Sequence, residues 1–137
     1  MRLTFTVPGL PQPKERPRKA RSGHFYTPSA TRGYETTLRA YALQAVRAGG
    51  WPLATKAPCA VWLHVYFPDL RRRDLDNTAK VLDGANGVVW HDDSQVAEWH
   101  VYKRLDRKRP RLEVAVELLP LEPGSEASVA RMGEVLG

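Results

Sequence analysis

The stretch AVWLHVYF, Ala60 to Phe67, decides the fold. Val61, Leu63, Val65 and Phe67 fall on one face, and Trp62, His64 and Tyr66 on the other. Only an extended chain sends successive side chains to opposite sides, so this is a β-strand. Both faces are largely apolar, which predicts a central position in a sheet. Pro68 closes it. Upstream, LTFTV places Leu3, Phe5 and Val7 on one face, a strand with a single buried side. Downstream, Gln95 to Lys103 and Arg111 to Leu119 read as two more strands, and LDRKRP between them predicts a hairpin connection with a basic tip.

Two helices complete the pattern. Ser29 or Thr31 caps the first, which runs to about Ala48 with Tyr34, Leu38, Tyr41, Ala42 and Ala45 on one face and Gly49 and Gly50 at its end. Asp76 or Asn77 caps a short second helix, with Ala79 and Leu82 inward and Gly84 or Gly87 at its end. The order strand, helix, strand, helix, strand, strand predicts an α+β (α/β-like) single domain. Its mixed sheet should have about four to five strands, with two main helices. Residues 1–120 are expected to form this domain, and residues 121–137, poor in apolar side chains, a weakly ordered tail or short helix.

A chain of 137 residues is the size of one ordinary domain. No apolar run approaches the roughly 20 residues of a membrane span, and the N-terminus alternates where a signal peptide would be continuously apolar, so a cytoplasmic location is expected. The single cysteine, Cys59, excludes an internal disulfide, and no Cys and His cluster has zinc spacing. The net charge of +6 is more telling. Residues 1–120 carry 20 Lys and Arg against 12 Asp and Glu, so the excess belongs to the predicted domain and favours a polyanionic partner.

Much of that charge lies between Pro13 and Pro28, where Lys14, Arg16, Arg18, Lys19 and Arg21 oppose only Glu15. Prolines and a glycine predict a loop without regular structure, suited to phosphate contact and to ordering on DNA. Phe25 and Tyr26 are placed either to stack on bases or to pack the loop against the first helix. A second basic group, Arg71, Arg72 and Arg73, runs directly into RDLDNTAKVLDGANGVVWHDDSQV, with Asp74, Asp76, Asp83, Asp92 and Asp93. Clustered carboxylates repel one another unless a cation sits among them. Hard oxygen ligands with no nearby Cys and few His specify magnesium or manganese over zinc. Asp74 and Asp76 follow the central strand, Lys80 lies one helical turn beyond Asp76, and Asp92 and Asp93 open the next strand. If the two strands are neighbours, the acids converge. Taken alone, a DxD is more often a cap or surface ion pair, and a DD pair more often a solvated turn.

RDLDNTAKVLDGANGVVWHDDSQV is similar to the central signature of the RusA-type Holliday junction resolvases, a DxDN followed by a lysine, an LDxxNG turn and a DDxQV. FTVPGLPQPKERPR, then YTP, a threonine and YE, resembles that family's opening strand, its proline-arginine loop and the start of its first helix. Together they cover most of residues 3 to 103. The resemblance implies a magnesium-dependent endodeoxyribonuclease of phages or prophages, resolving four-way junctions in DNA recombination and repair as a homodimer making paired symmetric nicks. Asp74, Asp76 and one or both of Asp92 and Asp93 are the implied metal ligands, with Asp93 the third essential carboxylate and Lys80 the essential lysine. Arg71, Arg72 and Arg73 join the basic loop in DNA binding; Asn77 and His91 are auxiliary candidates, and Asp83 is expected to order its turn. The family more often separates the lysine and this acid by four residues, against three here. The alternative is a branched-DNA-binding protein without catalysis.

Overall fold

The computed structural model describes residues 1–120. The segment 121–137, expected as a tail or short helix, lies outside the described residues. In chain order the elements are β1 (Arg2–Pro8), β2 (Arg18–Lys19), β3 (Phe25–Tyr26), α1 (Ser29–Gly49), β4 (Cys59–Phe67), α2 (Leu75–Ala79), β5 (Val96–Leu105) and β6 (Arg111–Leu118). Short 3-10 turns occupy Lys80–Ala85 and Asp93–Gln95. The main sheet has the order β1-β6-β4-β5. Its register is mixed: β4 is parallel to β5 and antiparallel to β6, which in turn is antiparallel to β1. The fold is therefore the expected α+β type.

Val61, Leu63, Val65 and Phe67 are buried, as the alternation requires. They meet Leu3, Phe5 and Val7 of β1, Leu112, Val114 and Val116 of β6, and Leu38, Ala42 and Val46 of α1 in one core with Leu82 and Trp90. Burying each such side chain stabilises by roughly 1.5–3 kcal/mol, so the sheet face under α1 anchors the whole domain. On the opposite face Trp62 stacks on His100 with centroids 5.0 Å apart, and His64 on Tyr102 at 4.8 Å. Among the described residues, no helix is long and apolar enough to cross a membrane.

Three local expectations change. First, β5 and β6 are not a paired hairpin: they flank β4, and residues 106–110 cross its end, where Asp106 N–H donates to Phe67 O at 2.8 Å. Their alternation marks them as strands but carries no information on which edge of β4 each takes. The basic tip folds around Asp106, whose Oδ1 accepts from Lys108 and Arg109 N–H at 3.0 Å and whose Oδ2 accepts from Arg111 at 2.8 Å. Second, the basic loop contains regular structure. Arg18 and Lys19 pair with Tyr26 and Phe25 as a small ribbon. Gly23, at φ 92°, turns it, and the prolines lie outside the paired residues. Third, neither Ser29 nor Thr31 caps α1. Pro28 occupies the N-cap without a side-chain bond, while the buried Thr31 Oγ1 accepts from Glu15 N–H at 3.1 Å. Gly50, at φ 70°, ends the helix as expected.

A candidate active site on the crossover

Because β4 and β5 are parallel, residues 68–95 must return from the end of one strand to the start of the other. This crossover carries all five acids of the signature. It begins with Asp74, whose extended backbone (φ −84°, ψ 108°) makes it the N-cap of α2, in place of Asp76 or Asn77. Asp74 Oδ1 accepts from the N–H groups of Asp76 at 3.0 Å and Asn77 at 3.3 Å, and Oδ2 accepts from Asn77 Nδ2 at 3.0 Å. A cap of this kind is worth about 1 kcal/mol.

Asp76 and Lys80 are one helical turn apart, with the ammonium 3.5 Å from the carboxylate. Asp83 follows after three residues, and here the winding matters: from Lys80 the chain tightens to a 3-10 turn. At 3.0 residues per turn, side chains at i and i+3 eclipse, so Asp83 stays on the face of Lys80. The shorter spacing therefore preserves the shared face. Gly84 lets the turn press against α1, since a Cβ there would lie 2.8 Å from Glu35 O.

Asp76, Lys80, Asp83 and Asp93 line one pocket of about 360 Å³, with Leu82, Trp99 and Val101 among its walls. Asp93 is fixed by the turn it opens. Asp92 caps that turn through Oδ2 to Ser94 N–H at 3.0 Å, and Gln95 Oε1 accepts from Asp92 N–H at 2.9 Å, a reciprocal capping box. Gln95 also donates to Thr55 O and Ala57 O, tying the turn to the segment that leads into β4. Asp93 and Asp83 make hydrogen-bond contact, which, with partial burial and the nearby charges of Asp83 and Asp92, pushes the Asp93 carboxyl up to about 6. Two carboxyls this close prefer to share a proton or a cation.

On the other side of Asp83 lies Lys14. Its ammonium donates to Asp83 Oδ2 at 2.7 Å and lies 3.2 Å from Glu35 Oε1. Burial opposes the lysine charge, but these two carboxylates outweigh it and raise its pKa.

Among the described residues, no three His, Cys, Asp or Glu side chains form a ready-made cation cage. The Asp83–Asp93 pair with Asp76 on the same pocket nevertheless fits a hard divalent cation that keeps several waters and takes one or two carboxylates. The family model of endodeoxyribonuclease RusA matches residues 8–117, a span that includes the entire crossover.

The chain belongs to the RusA family. Its curated relatives include crossover junction endodeoxyribonucleases RusA of Escherichia coli strain K12 and of Enterobacteria phage 82. Each is 38% identical over 61 residues, 43% of this chain and 51% of the relative. The chain thus spans about half the length of the curated relatives it matches.

The RusA-family residues expected from sequence divide by position. Asp76, Lys80 and Asp93 meet in the pocket; the carboxylates of Asp74 and Asp92 serve as caps beside it. Asn77 bonds Asp74, and His91 is exposed. Arg71 and Arg72 are exposed, whereas Arg73 is held by Asp69 at 2.6 Å and lies 4.5 Å over the Phe67 ring. Arg16, Arg18, Lys19 and Arg21 are exposed, with Arg18 bonded to Glu15 at 3.0 Å. Sequence reasoning placed Asp83 in its turn and did not single out Glu35; the structure puts Asp83 on the pocket as well and Glu35 against Lys14. For Asp83 the signal was present: it lies seven residues after Asp76, two helical turns along one face.

Proposed function

We propose that this RusA-family chain is a magnesium-dependent, structure-selective endodeoxyribonuclease that resolves four-way DNA junctions in recombination and repair, with manganese as a substitute. The observation that carries this reading is the Asp83–Asp93 carboxyl pair, in one pocket with Asp76 and Lys80. Asp76, Asp83 and Asp93 would hold the ion, and Asp74 and Asp92 present further carboxylates at its margin. A bound hard cation supplies charge neutralisation at the phosphate and a more acidic water.

The protein's own groups do the rest. Lys80, exposed and one turn from Asp76, steadies the scissile phosphate through a non-bridging oxygen or orients the attacking water. The exposed Arg16, Arg18, Lys19 and Arg21, with Arg71 and Arg72, bind flanking phosphates and contribute affinity without reading sequence. Phe25 and Tyr26 are exposed on the ribbon and available for stacking on unpaired bases at the branch point. A homodimer in the cytoplasm is part of this reading, because a two-fold junction is cut symmetrically when two copies present the same site.

A synthetic four-way junction, incubated with the protein and magnesium, tests it. Paired nicks at symmetric positions are expected, and Asp76→Asn should lose cleavage by about a hundredfold or more while binding the junction at least as tightly. Tight binding by the unsubstituted protein without product, across magnesium and manganese, would instead identify a branched-DNA-binding protein.

A further inference from the structure

Lys14 lies in a segment whose other basic residues point to solvent, yet it is the exception. Its side chain is 28% exposed and is enclosed between two carboxylates from different elements, Asp83 at 2.7 Å and Glu35 at 3.2 Å. Its backbone is also tied down: Lys14 N–H donates to Asn77 O at 2.9 Å, and the next residue, Glu15, donates to the buried Thr31 Oγ1 at 3.1 Å. The base of the basic segment is therefore clamped between α2 and α1, while the ribbon residues Arg18, Lys19, Phe25 and Tyr26 beyond it are exposed.

We propose that Lys14 is a positioning residue for the reaction, not a phosphate contact: it fixes the Asp83 carboxylate opposite Asp93 and joins the DNA-binding ribbon to the pocket. An ammonium satisfied by two carboxylates has little reason to leave them for a solvated phosphate. Asp83, in turn, has one oxygen held by Lys14 while it lines the same pocket as Asp93, which restricts the rotation a lone carboxylate would have. Glu35 shares the ammonium from α1, so the link spans three parts of the fold: ribbon, helix and crossover. Because Gly84 allows α1 and the turn to approach so closely, Glu35 and Asp83 come near enough for one lysine to reach both.

This inference rests on the nuclease reading only for its kinetic test. Independently of activity, brief acetylation of the DNA-free protein followed by mass spectrometry should modify Lys14 about tenfold more slowly than the exposed Lys19. Added junction should then protect Lys19 and leave Lys14 unchanged, and Asp83→Asn should speed modification of Lys14. Equal reactivity of Lys14 and Lys19 without DNA would overturn the proposal, even if the protein cleaves no junction. For turnover, Lys14→Gln should keep metal-free junction affinity within about twofold and leave its salt dependence unchanged, while single-turnover cleavage falls about tenfold or more. Lys14→Arg, which can still bridge two carboxylates, should recover most of that loss. The opposite split, with weaker binding, a salt slope reduced by about one and normal cleavage of bound junction, would make Lys14 a phosphate contact and end the proposal.

Discussion

Replacing Asp93 by Asn should stabilise the metal-free protein at neutral pH. Contact with Asp83, partial burial and neighbouring negative charge raise the Asp93 carboxyl from 3.8 to about 6. That difference of about two units corresponds to roughly 3 kcal/mol at full weight. The carboxyl is only half-buried, so solvent screening reduces the penalty to about 1 kcal/mol. The sign follows from proton binding. The folded protein holds this proton more tightly than the unfolded chain, so the contribution of this one group to stability is greatest below pH 3.8, falls as pH rises through 3.8 to about 6, and stays low above that. Asparagine carries no titrating charge and removes the penalty. Urea unfolding in chelator, at intervals from pH 3.5 to 8, measures it; other groups titrate alike in both proteins, so their difference isolates the acid pair. The variant should gain about 1 kcal/mol over the parent between those limits, and magnesium at pH 7.5 should stabilise only the parent. A flat difference curve, or a variant less stable than its parent at pH 7.5, would refute the assignment of a strained pair.

Three further outcomes are expected. Gly84→Ala should cost about 1–3 kcal/mol in urea unfolding, because the new Cβ meets the backbone of Glu35 at 2.8 Å; a neutral result would mean that α1 and the turn are not in close contact. Asp74→Ala should cost about 1 kcal/mol and Asp74→Asn almost nothing, since asparagine caps equally well; equal losses would remove the cap from the account. Neutralising Arg16 or Arg21 should lower the salt slope of junction binding by about one without affecting stability, whereas Arg73→Gln should destabilise the fold, because Arg73 is engaged with Asp69 and Phe67.

The central strand was legible because burial on one face and ring stacking on the other both follow from alternation in Ala60 to Phe67. Strand partners were not. Which edge of β4 receives β5 or β6 depends on the length and path of the crossover, and side-chain period says nothing about either. The pocket was legible at Asp76, Lys80 and Asp93, whose residue types and spacing carry the chemistry. Asp83 reads from sequence as a turn residue because it sits in LDGAN beside two glycines, and the 3-10 turn there places it on the face of Lys80 as well. Asp92 to Gln95 spells a capping box that sequence alone could have revealed. Glu35 could not have been found that way: its role comes from a helix packed against Gly84, 49 residues further along the chain.

Trp99 sits at the rim of the pocket, 39% exposed, with its ring edge-on to the buried Trp90 at 6.5 Å between centroids. An indole at such a boundary emits according to the polarity around it. One of the protein's four tryptophans is therefore an intrinsic optical probe of its cleft, and the part of the emission that shifts as ions or DNA enter can be followed in real time without any attached dye.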